Sequence, residues 1–155
     1  MIMPCDDLGG YRKFGYKVDR KSKTPLFHLG HDFKQPAGTR IKAVLDGEII
    51  YSSETSGFGS YGKKGGVILI RHKNKLGHHF VALYGHIIRH VDINRDDIKE
   101  GEIIGTLIKY ETNNFRADHL HFGINLMPTV PSFAWGYDEK LKDWVDPVHY
   151  LKTYC

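Results

Sequence analysis

The chain reads as an all-β protein, a sandwich or barrel of short strands, with one short C-terminal helix. Three observations carry that reading. From Arg40 onward, short runs rich in β-branched and aromatic residues recur between turn signals. One run, "HLHFGINL" (119–126), alternates with the two-residue period of a strand. The clear helical punctuation, an N-cap followed by proline, comes at the very end.

Taken in order, the first 27 residues are rich in Gly, Lys, Arg and Tyr and are expected to wrap the sheet as irregular structure. "RIKAVLDGEIIYS" (40–52) sets Asp46-Gly47 between two apolar runs, the short signal of a β-hairpin. "GGVILIRHK" (65–73) and "HHFVALYGHI" (78–87) are strands, joined through "NKLG" (74–77) as a second hairpin. "DIKEGEIIGTLI" (97–108) repeats the pattern with Glu100-Gly101 at its turn, and "HLHFGINL" follows as a further strand. In "WVDPVHYLKTY" (144–154), Asp146 is the expected N-cap and Pro147 suits the first helical position.

A length of 155 residues fits one domain that buries roughly 68–70% of its unfolded surface. The expected layout is a core at about 26–126, an N-terminal wrap at 1–25 and a C-terminal extension at 127–155. No apolar run approaches the roughly 18 residues that cross a bilayer, and "MIMPCDDLGG" lacks the basic and apolar regions of a signal peptide. The formal charge of +4 and pI near 9.0 favour anionic partners. "DRKSK" (19–23) and "YGKKGG" (61–66) read as solvated loops without a recognition motif, so no nucleic-acid partner is expected. Cys5 and Cys155 stand at opposite ends, which excludes a CxxC motif and favours two unrelated thiols over a bridge.

The chemistry concentrates in histidines. In a strand, His119 and His121 share one face while Leu120 and Phe122 share the other. In "FHLGHDF" (27–33), an extended backbone sets His28 and Asp32 on one side and His31 on the other. Gly30 argues against a helix there and suits a bend or close backbone approach. His28, Asp32 and one histidine of the HxH form a three-ligand N/N/O set, the open coordination of a catalytic zinc with water in the fourth position. His86 in "LYGHI" and the remaining HxH histidine are the candidates for shuttling protons and stabilising charge.

In order and spacing, HxGxD at 28–32, "GTRIKAVLDGEI" (38–49), "ALYGHI" (82–87), "IKEGEIIGTL" (98–107) and "HLHFGI" (119–124) resemble the lysostaphin-type (LytM-like) zinc endopeptidases of peptidoglycan. The resemblance implies zinc ligands His28, Asp32 and His121, one ion per chain, and catalytic histidines His86 and His119. It implies an antiparallel sheet with a loop-walled groove, and hydrolysis of a peptide bond in the stem or cross-bridge of the wall. The implied partner is a peptidoglycan peptide; a monomer is expected, placed in the periplasm, in the cell wall or outside the cell if the chain is a mature form, or acting as a phage lysin.

The segment "ETNNFRAD" (111–118) departs from the Gly/Ser/Thr-rich stretch common before HLH in that family; a solvated loop is preferred to substrate contact through Arg116 or Asp118. "GFGSYG" (57–62) meets the letter of GxGxxG, but a strand follows it, so a dinucleotide site is rejected in favour of a loop at the groove wall. Phe133, Trp135 and Tyr137 share a face if extended, and packing over the sheet is favoured. His72, His78, His79, His90 and His149 are read as structural or surface residues. Two other functions remain in play: a non-catalytic domain of the same type that binds wall or activates a hydrolase, and a lipoyl/biotinyl-like carrier. The first would be expected to lose ligands, and all five residues are kept. The second lacks a modifiable lysine at either hairpin tip.

Overall fold

A computed structural model of the chain describes residues 1–9, 11–54, 58, 65–90, 95–109, 118–129 and 136–155. Most of "GFGSYG" and of "ETNNFRAD", including Arg116, and Phe133 and Trp135 lie outside the described residues.

Twelve strands and one helix are found among the described residues: β1 Lys17–Arg20, β2 Lys23–His28, β3 His31–Lys34, β4 Arg40–Lys42, β5 Gly47–Ser53, β6 Gly66–Lys73, β7 His79–Arg89, β8 Asp97–Ile98, β9 Ile103–Leu107, β10 His119–Asn125, β11 Tyr137–Asp138, β12 Trp144–Val145 and α1 Pro147–Tyr154. Strands β1, β2 and β11 form a small antiparallel sheet. The other nine form the main sheet, with the path β12-β10-β7-β6-β5-β8; β3 also pairs with β10, and β9 joins β7 to β4.

Alternation along the two central strands explains the layering. Ile68 and Ile70 of β6, with Phe80, Ala82 and Tyr84 of β7, face one apolar cluster that also takes Leu120, Phe122 and Ile124 of β10. Val67, Leu69, Val81 and Leu83 face a second cluster with Leu29, Phe58 and Trp144. With both faces covered, β6 and β7 read as near-continuous apolar runs. Helix α1 closes the first cluster through Tyr150 and Leu151. As the sequence predicts, it starts at Asp146, whose carboxylate accepts from the amides of Val148 and His149 (both 3.0 Å).

The β6–β7 hairpin through "NKLG" is present, with Gly77 at φ +84° completing its turn. Three expectations are corrected. Residues 17–28 are not irregular but supply β1 and β2. Asp46-Gly47 does not close a hairpin: β4 pairs with β9, while β5 pairs with β6 and β8. There the Asp46 carboxylate accepts from Glu100 N (2.8 Å) and Lys99 Nζ (3.0 Å), so it fastens a neighbouring turn. A Cβ on Gly47 would stand 2.6 Å from the Arg71 carbonyl, so that glycine serves a close strand approach. Glu100-Gly101 does form a turn, with Gly101 at φ +81°, but its flanking strands β8 and β9 pair with other partners.

Candidate metal centre

Strand register builds the site. β3 lies antiparallel to β10 with Asp32 directly opposite His121, so the two side chains project from neighbouring strands on one face. β10 pairs on its other side with β7, where His121 stands opposite Gly85. His28 arrives differently. It is the last residue of β2 in the small sheet, and the chain passes through Leu29 and Gly30 into β3 of the main sheet. The stretch is therefore not one extended strand, yet the bend still brings His28 and Asp32 together.

Three ligand-type atoms converge. His28 Nε2 and His121 Nδ1 approach to 2.9 Å, and each lies 3.1 Å from Asp32 Oδ1. These residues are 1–2% exposed and are the one group of at least three His, Cys, Asp or Glu among the described residues placed to hold a metal ion. The donor set fits a cation. The Lys13 carbonyl can only accept, so His28 Nδ1–H donates to it (3.0 Å), which orients the ring with Nε2 turned into the triangle. A tetrahedral zinc with bonds of about 2.0–2.1 Å separates its ligands by roughly 3.3 Å, close to the spacing here. Burial alone pushes the Asp32 carboxyl up. Hydrogen bonding to His121 and His28 outweighs this and holds it well below the usual carboxylate range. Burial pushes His121 down, against the pull of Asp32, which favours the neutral ring that a metal requires.

Gly30 is a steric requirement. A Cβ there would lie 2.6 Å from the Phe122 carbonyl and 2.8 Å from His121 Cε1. The glycine lets the His28–Asp32 turn pass directly under the His121 ring.

His86 and His119 stand beside this triangle. Their rings pack edge to face at 4.5 Å, and His119 Nε2 lies 3.8 Å from Asp32 Oδ2. Simple alternation would send His86 to the Tyr84 side, into the first cluster. Instead, β6 pairs Val67 with Gly85 but Gly66 with Ile87, leaving His86 as the extra residue of a bulge, with φ +64°. The bulge turns the imidazole to the site. Its Nδ1–H donates to the Phe58 carbonyl, leaving Nε2 as the acceptor. Burial, reinforced by His119 and His121, pushes His86 down to about 3.

His31 lies apart from the triangle, 3.2 Å from Asp7. His72 is buried in β6 at the far end of the central hairpin, bonded to the Asp46 carbonyl (3.0 Å). Cys5 and Cys155 are both free. Phe58, in the segment read from the sequence as a loop at the groove wall, covers Gly85 and packs 5.4 Å from the His121 ring. Tyr11 packs 5.3 Å from His119 and Tyr137 packs 5.0 Å from His28. For Tyr11 the sequence carried no local signal, while Tyr137 was read only as packing over the sheet.

Comparisons with known proteins give the family. The DD-carboxypeptidase/endopeptidase Mpg of Neisseria meningitidis serogroup B is 29% identical over 120 residues, 76% of this chain and 25% of that protein. The peptidoglycan DD-endopeptidase ShyC of Vibrio cholerae is 33% identical over 95 residues, 61% of this chain and 19% of its own length. This chain thus spans a quarter or less of the curated relatives it matches. The catalytic domain of lysostaphin from Staphylococcus simulans superposes with a TM-score of 0.60 at 25% identity, covering 94% of this chain and 92% of that one. The model of peptidase family M23 matches residues 26–131, a stretch that holds the His28–Asp32 turn, the His86 bulge and the HxH strand, and the chain belongs to that family.

Proposed function

We propose that the chain is a zinc-dependent endopeptidase of peptidoglycan, with His28, Asp32 and His121 as ligands of one zinc ion and His86 and His119 as catalytic histidines. The observation that carries the reading is the convergence of His28 Nε2, Asp32 Oδ1 and His121 Nδ1, with two further imidazoles on one side. The names of the relatives, a DD-carboxypeptidase/endopeptidase and a peptidoglycan DD-endopeptidase, support the substrate class. Residues 1–155 would act as a single peptidase domain, as a monomer and outside the cytoplasm, on a peptide of the wall. No helix among the described residues is long and apolar enough to cross a membrane.

Bound zinc would acidify its water and polarise the scissile carbonyl. The chain's own groups supply the rest. Neutral His86 presents Nε2 as a hydrogen-bond acceptor, oriented by the Phe58 carbonyl behind it, and so can orient an attacking water. His119, flanked by His86 and within 3.8 Å of Asp32, stands where it can donate to the oxygen that gains charge. Phe58 covers Gly85 and packs against the His86 and His121 rings. Neither imidazole is needed to complete the three-ligand set, and their placement together beside it favours the catalytic reading over a non-catalytic one.

The test is metal content together with digestion of purified peptidoglycan. The purified protein should carry about one zinc per chain, and digestion should release new amino termini, with mass spectrometry identifying the bond cut. Metal-free protein that binds wall without releasing amino termini would instead support a binding module.

A further inference from the structure

The N-terminal segment does more than cover the sheet. Asp32 N donates to the Arg12 carbonyl (2.8 Å), Gly15 N to the His28 carbonyl (2.8 Å) and His28 N to the Tyr16 carbonyl (2.9 Å). With Lys13 bonded to the His28 ring, residues 12–16 are tied to two members of the metal triangle. This anchoring fixes where the side chain of Arg12 goes. Its guanidinium carbon lies 5.3 Å from the ring centre of Tyr16, 5.7 Å from that of Tyr11 and 5.8 Å from that of Tyr137, all within cation–π range. Arg12 Nη1 also donates to the Tyr137 hydroxyl. Two of these tyrosines touch the site from different sides: Tyr137 packs on His28 and Tyr11 on His119. The cation therefore sits among tyrosines of which one packs on His28 and another on His119.

We propose that Arg12 is a specificity-determining residue that binds a carboxylate of the peptide substrate next to the scissile bond. The proposal rests on the peptidase reading above. A guanidinium is charged at every working pH, and beside the donor given to Tyr137 its planar fork matches the geometry of a carboxylate. Aromatic neighbours limit its rotamers and partly remove it from water, so less ordering is lost on binding and the charge-assisted bonds are stronger. The two tyrosine contacts give the site direction: a peptide whose carbonyl reaches the metal triangle passes Arg12 on one flank. The carboxylate is either the chain terminus or an acidic side chain, and amidating each in turn separates the two.

Synthetic stem peptides carrying every carboxylate, or one of them replaced by a carboxamide, are titrated calorimetrically into the zinc-loaded protein and its Arg12→Gln and Arg12→Lys variants, with hydrolysis followed in parallel. The wild type should bind the carboxylate form about 10- to 100-fold more tightly than one of the carboxamides. Arg12→Gln should lose that preference while holding its carboxamide affinity within about threefold, and Arg12→Lys should fall between them. Equal preference in wild type and Arg12→Gln overturns the proposal. So does equal weakening of both forms, which would make Arg12 a latch for the N-terminal segment. If the wild type binds both peptides and cuts neither, the peptidase reading fails, while the binding preference still decides the role of Arg12.

Discussion

Replacing Gly30 by alanine sets one methyl group against two partners at once. The new carbon would lie 2.6 Å from the Phe122 carbonyl oxygen, where ordinary contact begins at 3.4 Å, so about 0.8 Å must be found. The carbonyl belongs to the central strand β10, and the next closest atoms are those of the His121 ring, at 2.8 and 2.9 Å. Relief therefore comes from moving β3 away from β10 or tilting His121, and either change opens the triangle of His28, Asp32 and His121. Overpacking of this kind costs about 1–3 kcal/mol of stability, and disturbing a ligand's support weakens metal binding by about 10- to 100-fold. Competition against a chromophoric chelator measures the affinity, and thermal unfolding of the metal-free protein measures the stability. Gly136→Ala is the control, because nothing lies within 4 Å of a Cβ there. It should leave both values near wild type. Wild-type zinc affinity in Gly30→Ala would refute the claim that this glycine exists to let His121 approach.

Other outcomes follow from the same geometry. His86→Ala and His119→Ala should each retain zinc while slowing release of amino termini from peptidoglycan by about 10²-fold or more; unchanged release would remove them from the mechanism. His31→Ala should leave zinc affinity unchanged and alter stability by less than about 1 kcal/mol, since its partner is the partly exposed Asp7; zinc loss on titration would refute its exclusion from the ligand set. Burial pushes His72 from its ordinary 6.5 down to about 4. Below pH 6.5 the unfolded chain takes up a proton that the folded chain refuses, so this contribution is complete above pH 6.5 and is lost as the pH falls toward 4. The loss approaches about 3 kcal/mol. Urea unfolding across that range should show a shallower decline for His72→Gln, and an identical slope would refute it.

The fold and the grouping of His28, Asp32 and His121 were legible in different ways. The strands of the central hairpin, the HxH strand and the capped helix could be read because their signals are local: a two-residue period, turn residues, a cap before a proline. The pairing of His28 with Asp32 was reached from alternation along one extended strand, whereas the chain in fact crosses between two sheets at Gly30. The partners agree because the bend restores what the break would have lost. The Asp46-Gly47 hairpin failed for a related reason. Turn chemistry in isolation does not reveal that Asp46 serves the Lys99-Glu100 turn, 53 residues away at Lys99. Arg12, Tyr11, Tyr137 and Phe58 reach the site only through pairing across the chain, and no spacing within the sequence records it. The His86 bulge is of the same kind, because alternation alone would have sent that side chain to the opposite face.

That bulge has a bearing on how the protein can be improved. A non-glycine residue held in the left-handed region costs of order 1–3 kcal/mol, sustained by the packing around it. Glycine at position 86 would remove that cost and would be selected by any redesign scored on folding alone, yet it would take away the imidazole that the distortion exists to aim. Thermostabilising substitutions should therefore be sought elsewhere, on the exposed turns and the surface of α1, with His86 and its register held fixed.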